Sequence, residues 1–465
     1  VLDDVEILYS KALIGSGNYD RAINFLKTII DDNKNNPFVE KIDYELKLSL
    51  AQAYDKKGES QKAIPLYHEY LKNAGANVKF SEVYVALGNI AKTQGANETA
   101  TTYYQLAGNS GNPKALKDVA DLLFQNGRYQ EAEKYYKDLM TGAANDEDRK
   151  YFQSRIIVCK LKRDNLKDAE PLISDFSKKY KKAVEYLAEF DYEKGLHFYR
   201  NQDLVRAKKI FENVADDYGQ TEFCPLSEYY LGKILENNKK LPDAIKKYES
   251  ILKKYPNSNA APRVLLALGN INYNAEKYEE AIRFYQRIVE SPEKARDMLL
   301  YAMTNLIESY ESTKLYDAAL KITRNFIERF PKDSSVVDKR IKIGILYTRL
   351  EYYDQAILHF QTLLDQIGSE YEAEIRYNFG ETYYYKGDYQ QAILEFLKVP
   401  YLANAKGVEN WTATAIYMAG QAYERMGKYD KALSMYQQII DRPGIDANFK
   451  AGARKEIDRV KSIIK

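Results

Sequence analysis

The hydrophobic positions of the chain recur with a period of about 37 residues. A short phrase ending in alanine marks each period, as in GNYDRA (residues 17–22), GRYQEA (residues 127–132) and GKYDKA (residues 427–432). With that alanine as an anchor, the chain contains twelve copies, and no long stretch of unique sequence remains outside them. The anchors are Ala22, Ala63, Ala100, Ala132, Ala169, Ala207, Ala244, Ala281, Ala319, Ala356, Ala392 and Ala432.

Each period predicts two α-helices. The anchor and the positions four and seven residues after it are mostly apolar, and this spacing places them on one face of a helix. A second apolar set lies 16, 13 and 9 residues before the anchor and predicts an earlier helix. Turn residues such as Lys386, Gly387 and Asp388 separate the two helices. The sequence therefore predicts an all-α protein of about twelve helix pairs.

Small residues recur twelve positions before the anchor. Seven of them are glycine: Gly88, Gly195, Gly232, Gly269, Gly344, Gly380 and Gly420. A glycine inside a helix costs about 1 kcal/mol relative to alanine, so its recurrence needs a packing reason. We interpret it as a close approach of the two paired helices, with the glycine facing the anchor alanine.

The ends and joints of the array predict three segments. The shortest interval between anchors, 32 residues, contains the flexible-looking stretch 108–113, which favours a joint after the third repeat. Beyond the twelfth repeat, Phe449, Ala453, Ile457, Val460 and Ile464 form one apolar stripe. We therefore predict repeats one to three over residues 1–107, repeats four to twelve over residues 108–446, and a C-terminal capping helix over residues 447–465.

This pattern resembles the tetratricopeptide repeat (TPR) family. The residues that carry the resemblance are the small residue, a following tyrosine (Tyr310, Tyr383), the alanine anchor, an aromatic residue four positions later (Tyr67, Phe360) and a proline after the pair (Pro256). The resemblance spans essentially the whole chain. It implies a right-handed α-α superhelix, a solenoid that binds a protein or peptide segment in its concave groove and is not an enzyme.

Two loops extend the resemblance to a bacterial subclass. Residues 254–262 and 329–334 resemble loops in TPR lipoproteins of outer-membrane assembly and in periplasmic proteins of the Tol–Pal system. This resemblance implies a periplasmic or outer-membrane-associated location in a bacterial envelope assembly. A cytoplasmic adaptor, or a regulatory or substrate-docking region of a larger enzyme, are the alternatives.

The composition of the chain argues against several classes of function. Lys plus Arg number 69 and Asp plus Glu 67, and this near-balance argues against a dedicated nucleic-acid binder. No apolar run approaches the roughly 18 residues of a membrane span, so we expect no direct membrane insertion. The three histidines show no ligand spacing, Cys159 and Cys224 form no metal or nucleophile motif, and we expect neither a metal nor a cofactor. The oligomeric state and the partner stay open.

Tyrosine is unusually frequent, at 42 of 465 residues, and it marks a candidate binding surface. In the family that the chain resembles, the first helix of each pair lines the groove. The residues at the corresponding positions are Tyr192, Tyr229, Tyr230, Asn270, Tyr273, Asn305, Lys342, Tyr377, Asn378, Tyr384 and Tyr417. Tyrosine offers a large contact area with a polar hydroxyl, which suits protein recognition. For the tyrosines the alternative is packing between repeats. For Asn270, Asn305 and Lys342 we expect contacts with a peptide backbone, and solvated polar groups on an unused face are the alternative.

Overall fold

A computed structural model describes residues 2–32, 40–73, 80–293, 295–402 and 408–464. In these ranges the chain forms 25 α-helices, two short 3-10 helices (Ser369–Tyr371 and Val399–Tyr401) and no strand, which confirms the all-α prediction. The first helices of the twelve pairs are α1 (Leu2–Gly15), α3 (Glu40–Lys57), α5 (Phe80–Thr93), α7 (Pro113–Gln125), α9 (Asp146–Lys162), α11 (Val184–Arg200), α13 (Phe223–Asn237), α15 (Ala261–Asn274), α17 (Arg296–Ser312), α19 (Val336–Arg349), α21 (Glu372–Lys386) and α23 (Val408–Arg425). The second helices are α2 (Tyr19–Asp32), α4 (Ser60–Asn73), α6 (Asn97–Asn109), α8 (Tyr129–Thr141), α10 (Leu166–Lys179), α12 (Leu204–Asp217), α14 (Leu241–Lys254), α16 (Tyr278–Glu290), α18 (Tyr316–Arg329), α20 (Tyr353–Gln366), α22 (Tyr389–Lys398) and α24 (Tyr429–Asp441). The last helix, α25 (Ala447–Ile464), stands alone.

The chain divides into two units, Val1–Ile234 and Leu235–Lys465, with the division inside α13. Within each unit a second helix packs on its own first helix and on the first helix of the next pair, as α2 does on α1 and α3, and α16 on α15 and α17. Contacts between consecutive helices are the mark of a solenoid, which confirms that prediction for each unit. The segment borders near residues 107 and 446 stay a prediction.

All twelve anchor alanines occupy the same place. Each is the fourth residue of a second helix, and none has any exposed surface. The tyrosines that precede seven of the anchors by three residues begin their helices, as Tyr278 begins α16. The side chain of alanine is small enough to let the neighbouring helix approach closely, so the anchor sits where two helices meet.

The recurring glycines pack against an aromatic ring, and our prediction that they face the anchor alanine is wrong. A Cβ atom at Gly269 would lie 2.4 Å from Cε1 of Tyr285, and one at Gly420 would lie 2.6 Å from Cε1 of Tyr436. The ring belongs to the residue four positions after the anchor. The same arrangement pairs Gly88 with Tyr104, Gly195 with Phe211, Gly344 with Phe360 and Gly380 with Phe396. Glycine is therefore needed because a ring fills the space of its missing side chain.

The turn between paired helices is also the same in every repeat. Five residues before the anchor, the backbone is left-handed in all twelve turns. Six turns use glycine there: Gly17, Gly58, Gly95, Gly127, Gly387 and Gly427. The other six use Asp164, Gln202, Lys239, Glu276, Lys314 and Glu351, with φ between 56° and 62°. A left-handed backbone costs a non-glycine residue about 1–2 kcal/mol, so repeats five to ten carry strained turns.

Helix α25 covers the end of the second unit, as predicted for a capping helix. It packs on α24 and buries Ala453, Ile457 and Val460. The apolar stripe is narrower than predicted, because Phe449 and Ile464 are 38% and 49% exposed. Only the middle of the helix faces its neighbour.

Candidate functional site

Within each unit the first helices have one side that neighbouring helices cover only in part, and we call this side the first-helix face of that unit. On α23 its central line is Trp411, Thr414, Met418, Gln421 and Arg425, which follow one another at intervals of three or four residues, and Tyr417 lies at its edge. None of the five is buried, whereas the buried residues between them are mostly alanine and isoleucine facing the core. This spacing on a helix brings the five side chains onto one line.

Most of the predicted site residues of the second unit lie on this face. Those that are half-buried there are Asn270, Tyr273, Asn305, Lys342, Tyr377, Tyr384 and Tyr417. Asn378 is different, because only 6% of it is exposed and its Nδ2 donates to the backbone oxygen of Glu374 at 2.8 Å. The inclusion of Asn378 in a binding surface is therefore corrected: it is a packing residue.

In the first unit, Tyr192 needs the same correction. It is 8% exposed, and its ring centroid lies 5.5 Å from that of Phe223 and 6.1 Å from that of Tyr230. Tyr229 and Tyr230 are half-buried, and Tyr230 stacks on Phe211 at 5.3 Å. The ring of Tyr192 and one face of the Tyr230 ring therefore pack against other aromatic rings of the protein and do not face a partner.

The predicted amide groups form a bridge within the protein. The Oδ1 atom of Asn270 accepts hydrogen bonds from the Tyr285 hydroxyl at 2.7 Å and from Nδ2 of Asn305 at 2.8 Å. These bonds join α15, α16 and α17. Lys342 pairs with Glu311 at 3.0 Å, across α19 and α17. Asn270 and Asn305 are brought together, whereas Lys342 pairs separately with Glu311. The polar atoms of all three are partly engaged, and their contact with a peptide stays a prediction.

A buried tyrosine hydroxyl recurs beneath the face. Tyr285 donates to Asn270, and Tyr436 donates to Glu424 at 2.6 Å. In the first unit Tyr136 donates to Asp121 at 2.7 Å. Burial raises the pKa of Tyr285 to about 12, so its hydroxyl remains protonated and can donate. The ring that packs on the glycine therefore also orients a polar residue on the first-helix face.

Aromatic side chains of two neighbouring first helices meet on α21 and α23. The ring of Tyr377 lies 5.1 Å from that of Trp411 and 5.8 Å from that of Phe396. Tyr384 lies 5.8 Å from Tyr385, and its hydroxyl accepts from Nε of Arg425 at 3.3 Å. Sequence reasoning missed Trp411, which lies outside the family positions. The sequence signal that could have identified it is its spacing of three residues from Thr414, which places both side chains on one face of the helix.

A charged group lies beside these rings. The side chain of Glu381 on α21 is 14% exposed, and its Oε2 is 3.9 Å from Nη2 of Arg349. The guanidinium of Arg349 also donates to the Tyr385 hydroxyl at 3.5 Å. Burial raises the pKa of the Glu381 carboxyl above its usual range, and the charge of Arg349 offsets this in part. The sequence analysis missed Glu381 and Arg349, because charged residues on a helix face are usually solvated.

In the residues that the structure describes, no group of three or more His, Cys, Asp or Glu side chains is placed to hold a metal ion. Among the same residues, no helix has the length and apolar character to cross a bilayer. Cys159 and Cys224 are both buried.

Comparison with protein families finds one family along the chain. Models described as tetratricopeptide repeat match residues 10–78, 80–147, 192–259, 263–293, 373–405 and 414–443, which is well over half of the chain. No curated protein sequence matches the chain.

Several solved structures are similar to this chain. A tetratricopeptide repeat protein from Parabacteroides merdae has 17% identity and a TM-score of 0.35, covering 59% of this chain and 98% of its own. Yeast Tom70 has 12% identity and a TM-score of 0.32, covering 99% and 96%. The apo form of RapI has 13% identity and a TM-score of 0.40, covering 75% and 98%. At these TM-scores the likeness carries no inference about partners.

Proposed function

Because the chain belongs to the tetratricopeptide repeat family, we propose that it is a protein-interaction scaffold that binds a protein or peptide segment on its first-helix face. We assign the binding to the part of that face formed by α21 and α23 in the second unit. The observation that carries this assignment is the half-buried aromatic set Tyr377, Tyr384, Trp411 and Tyr417 on two adjacent helices.

These side chains have the chemistry of a protein-binding surface. Rings of Tyr and Trp provide contact area at a small cost in side-chain entropy, and they are enriched where binding energy is concentrated. Arg425 and Gln421 lie on the same line of α23 and add hydrogen-bond donors beside the rings. A partner segment would therefore meet apolar and polar groups side by side, as at the centre of a typical interface.

Affinity capture tests this function. The intact chain is immobilised and exposed to lysate of the native organism, beside a variant with Tyr384→Ala and Trp411→Ala. We expect the variant to lose a partner that the native chain retains while it stays folded at the capture temperature, although its melting temperature falls because both rings also pack on the core. A matched control removes two exposed aromatic rings elsewhere, by Tyr352→Ala and Tyr401→Ala, which are 45% and 84% exposed. Equal capture by all three proteins would remove α21 and α23 from the site.

The chain also contains its own reporter for binding. Trp411 is its single tryptophan, so intrinsic tryptophan fluorescence arises from the proposed site alone. A partner that covers the ring should shift the emission, because tryptophan emission depends on water contact. A captured partner that leaves the emission unchanged would bind elsewhere.

We further propose a bacterial envelope assembly as the setting. The support is the resemblance of the loops at residues 254–262 and 329–334 to those of envelope TPR proteins. Fractionation of the native organism should place the protein with the periplasm or outer membrane, and the gene should encode a signal peptide or a lipobox cysteine ahead of Val1. A protein found wholly in the cytoplasmic fraction would favour the cytoplasmic adaptor.

A further inference from the structure

Three glutamates of the second unit with little exposed side chain differ in how completely they are paired. Glu395, with 10% of its side chain exposed, accepts from Arg376 at 2.9 Å and also pairs with Lys398. Glu424, with 14% exposed, accepts from Arg459 at 2.7 Å and from the Tyr436 hydroxyl. The side chain of Glu381 is as exposed as that of Glu424. Glu395 and Glu424 show the hydrogen bonds that such a carboxylate ordinarily receives in this fold.

The Glu381 carboxylate receives no comparable hydrogen bonds from the protein. Its contact with Arg349, at 3.9 Å, is too long for a hydrogen bond. No other hydrogen bond reaches the Glu381 carboxylate from the residues that the structure describes. Neither oxygen of the Glu381 carboxylate is fully buried without a hydrogen-bond partner, so solvent still reaches the group. The carboxylate is therefore accessible on the first-helix face but has no close donor from the protein.

The surroundings of Glu381 are aromatic. The guanidinium of Arg349 lies over the ring of Tyr385 at 5.5 Å, and Tyr385 is 45% exposed. Burial raises the pKa of the Tyr377 hydroxyl, and the nearby charge of Glu381 adds to this rise. Tyr377 in turn contacts Trp411. Rings beside a carboxylate attract a cation, through the charge and through the faces of the rings.

We propose that Glu381 is the subsite for a basic side chain, lysine or arginine, of the segment bound on the first-helix face. This inference rests on the proposed function and names the class of its partner. The ammonium or guanidinium group supplies the hydrogen bonds that Glu381 lacks, and its aliphatic stem lies against Tyr377 and Tyr385. An acidic residue at this point of the partner is repelled by the same carboxylate.

Peptide pools test the assignment on the full chain. Four pools of twelve-residue peptides carry Arg, Lys, Gln or Glu at a fixed central position, with random flanks free of charged residues and tryptophan. Each pool is titrated while the fluorescence of Trp411 is recorded. We expect the Arg and Lys pools to bind about tenfold more tightly than the Gln pool, which corresponds to one good charge-assisted hydrogen bond. The Glu pool should bind most weakly.

The variant Glu381→Gln should remove the preference for Arg and Lys without lowering the melting temperature, since it removes a poorly paired charge. Glu308→Gln is the matched control. Glu308 occupies the same repeat position on α17 but is exposed, and its bond from Tyr273 at 3.3 Å can be kept by the glutamine oxygen. This control should keep the full preference.

Two results overturn the inference. Equal binding of all four pools, lost only in a Tyr377→Ala and Tyr384→Ala variant that keeps the Trp411 reporter, would leave the proposed function standing without a basic subsite. A preference that persists in Glu381→Gln would place the cation elsewhere. Failure of every pool to bind also overturns the inference, while the captured partner decides the proposed function separately.

Discussion

Repeats nine and twelve have the same helix arrangement built from different residues. In repeat twelve, Gly420 on α23 leaves room for the ring of Tyr436 on α24, whose Cε1 atom would lie 2.6 Å from an added Cβ. In repeat nine, Ile307 and Thr323 occupy the equivalent positions on α17 and α18, and both are fully buried. The large residue has moved from the second helix to the first.

This exchange shows what each repeat requires. A glycine with a ring, or an isoleucine with a threonine, fills a similar volume between two helices. Protein interiors are packed to constant density, so the sum of two facing residues is constrained more strongly than either residue. In repeat nine the threonine hydroxyl is satisfied within its own helix, by the backbone oxygen of Ala319 at 2.7 Å. A deviation from the repeat pattern is thus compensated locally.

The two repeats also differ on the first-helix face. Repeat twelve presents Trp411, Tyr417 and Arg425, whereas repeat nine presents Asn305 and Glu308. Trp411, Arg425 and Glu308 contact the preceding repeat rather than their own second helix, so they can vary more freely with function. Tyr417, by contrast, also packs on Tyr436 of its own pair, at 5.6 Å. The aromatic set is therefore a property of the end of the second unit, and this supports its assignment to binding.

The largest effect is expected from transferring the repeat-twelve packing into repeat nine. Ile307→Gly alone should destabilise by about 4 kcal/mol, from the cavity and from the helix-interior glycine. Thr323→Tyr alone should destabilise by about 1–3 kcal/mol through overpacking. Because the ring can fill the cavity, the double variant should lose less than the sum by more than about 1 kcal/mol.

Local amide hydrogen exchange in α17 and α18 measures these free energies within the repeat. The double variant should recover much of the protection that Ile307→Gly loses. Strictly additive effects would mean that the two side chains do not share one space, and the compensation argument would fail.

Much of this fold was predictable from the sequence. The period, the helix pairs and the anchor alanines follow from apolar spacing, because a helix face is determined by the sequence along it. The partner of Gly420 was not predictable, since periodicity identifies the face of each helix but not the axial offset between two helices. That offset decides whether Ala432 or Tyr436 meets the glycine.

The candidate site was predictable only in part, for a related reason. Asn305 and Asn378 both lie fourteen residues before their anchors. Asn305 is half-buried and bonds to Asn270 across two helices, whereas Asn378 is buried and bonds to its own backbone. Repeat position alone does not show which neighbours cover a side chain. The incomplete pairing of Glu381 depends on distances, which no pattern of residue types contains.

A smaller effect is expected from adding one methyl group in repeat twelve. Gly420→Ala places a Cβ against the buried ring of Tyr436 and should destabilise by about 1–3 kcal/mol. Gly452→Ala makes the same change in α25, where nothing lies within 4 Å of the added atom. That control should be neutral or stabilise by up to about 1 kcal/mol. Denaturant unfolding followed by Trp411 fluorescence compares the two, and equal effects would contradict the role of the ring.

The smallest effect concerns the turns. Lys314 in repeat nine has φ of 60° and Gly427 in repeat twelve has φ of 69°, so different residues adopt one backbone shape. Lys314→Gly should relieve strain and stabilise by up to about 1 kcal/mol, less the entropy that glycine gains in the unfolded chain. Gly427→Ala should destabilise by about 1 kcal/mol, because it introduces that strain.

Amide exchange in α18 and α24 reports both changes next to their turns. Opposite signs at the two sites would establish that left-handed geometry is imposed by helix pairing rather than chosen by the residue. Destabilisation at both sites would instead mean that Lys314 makes a contact worth more than its strain.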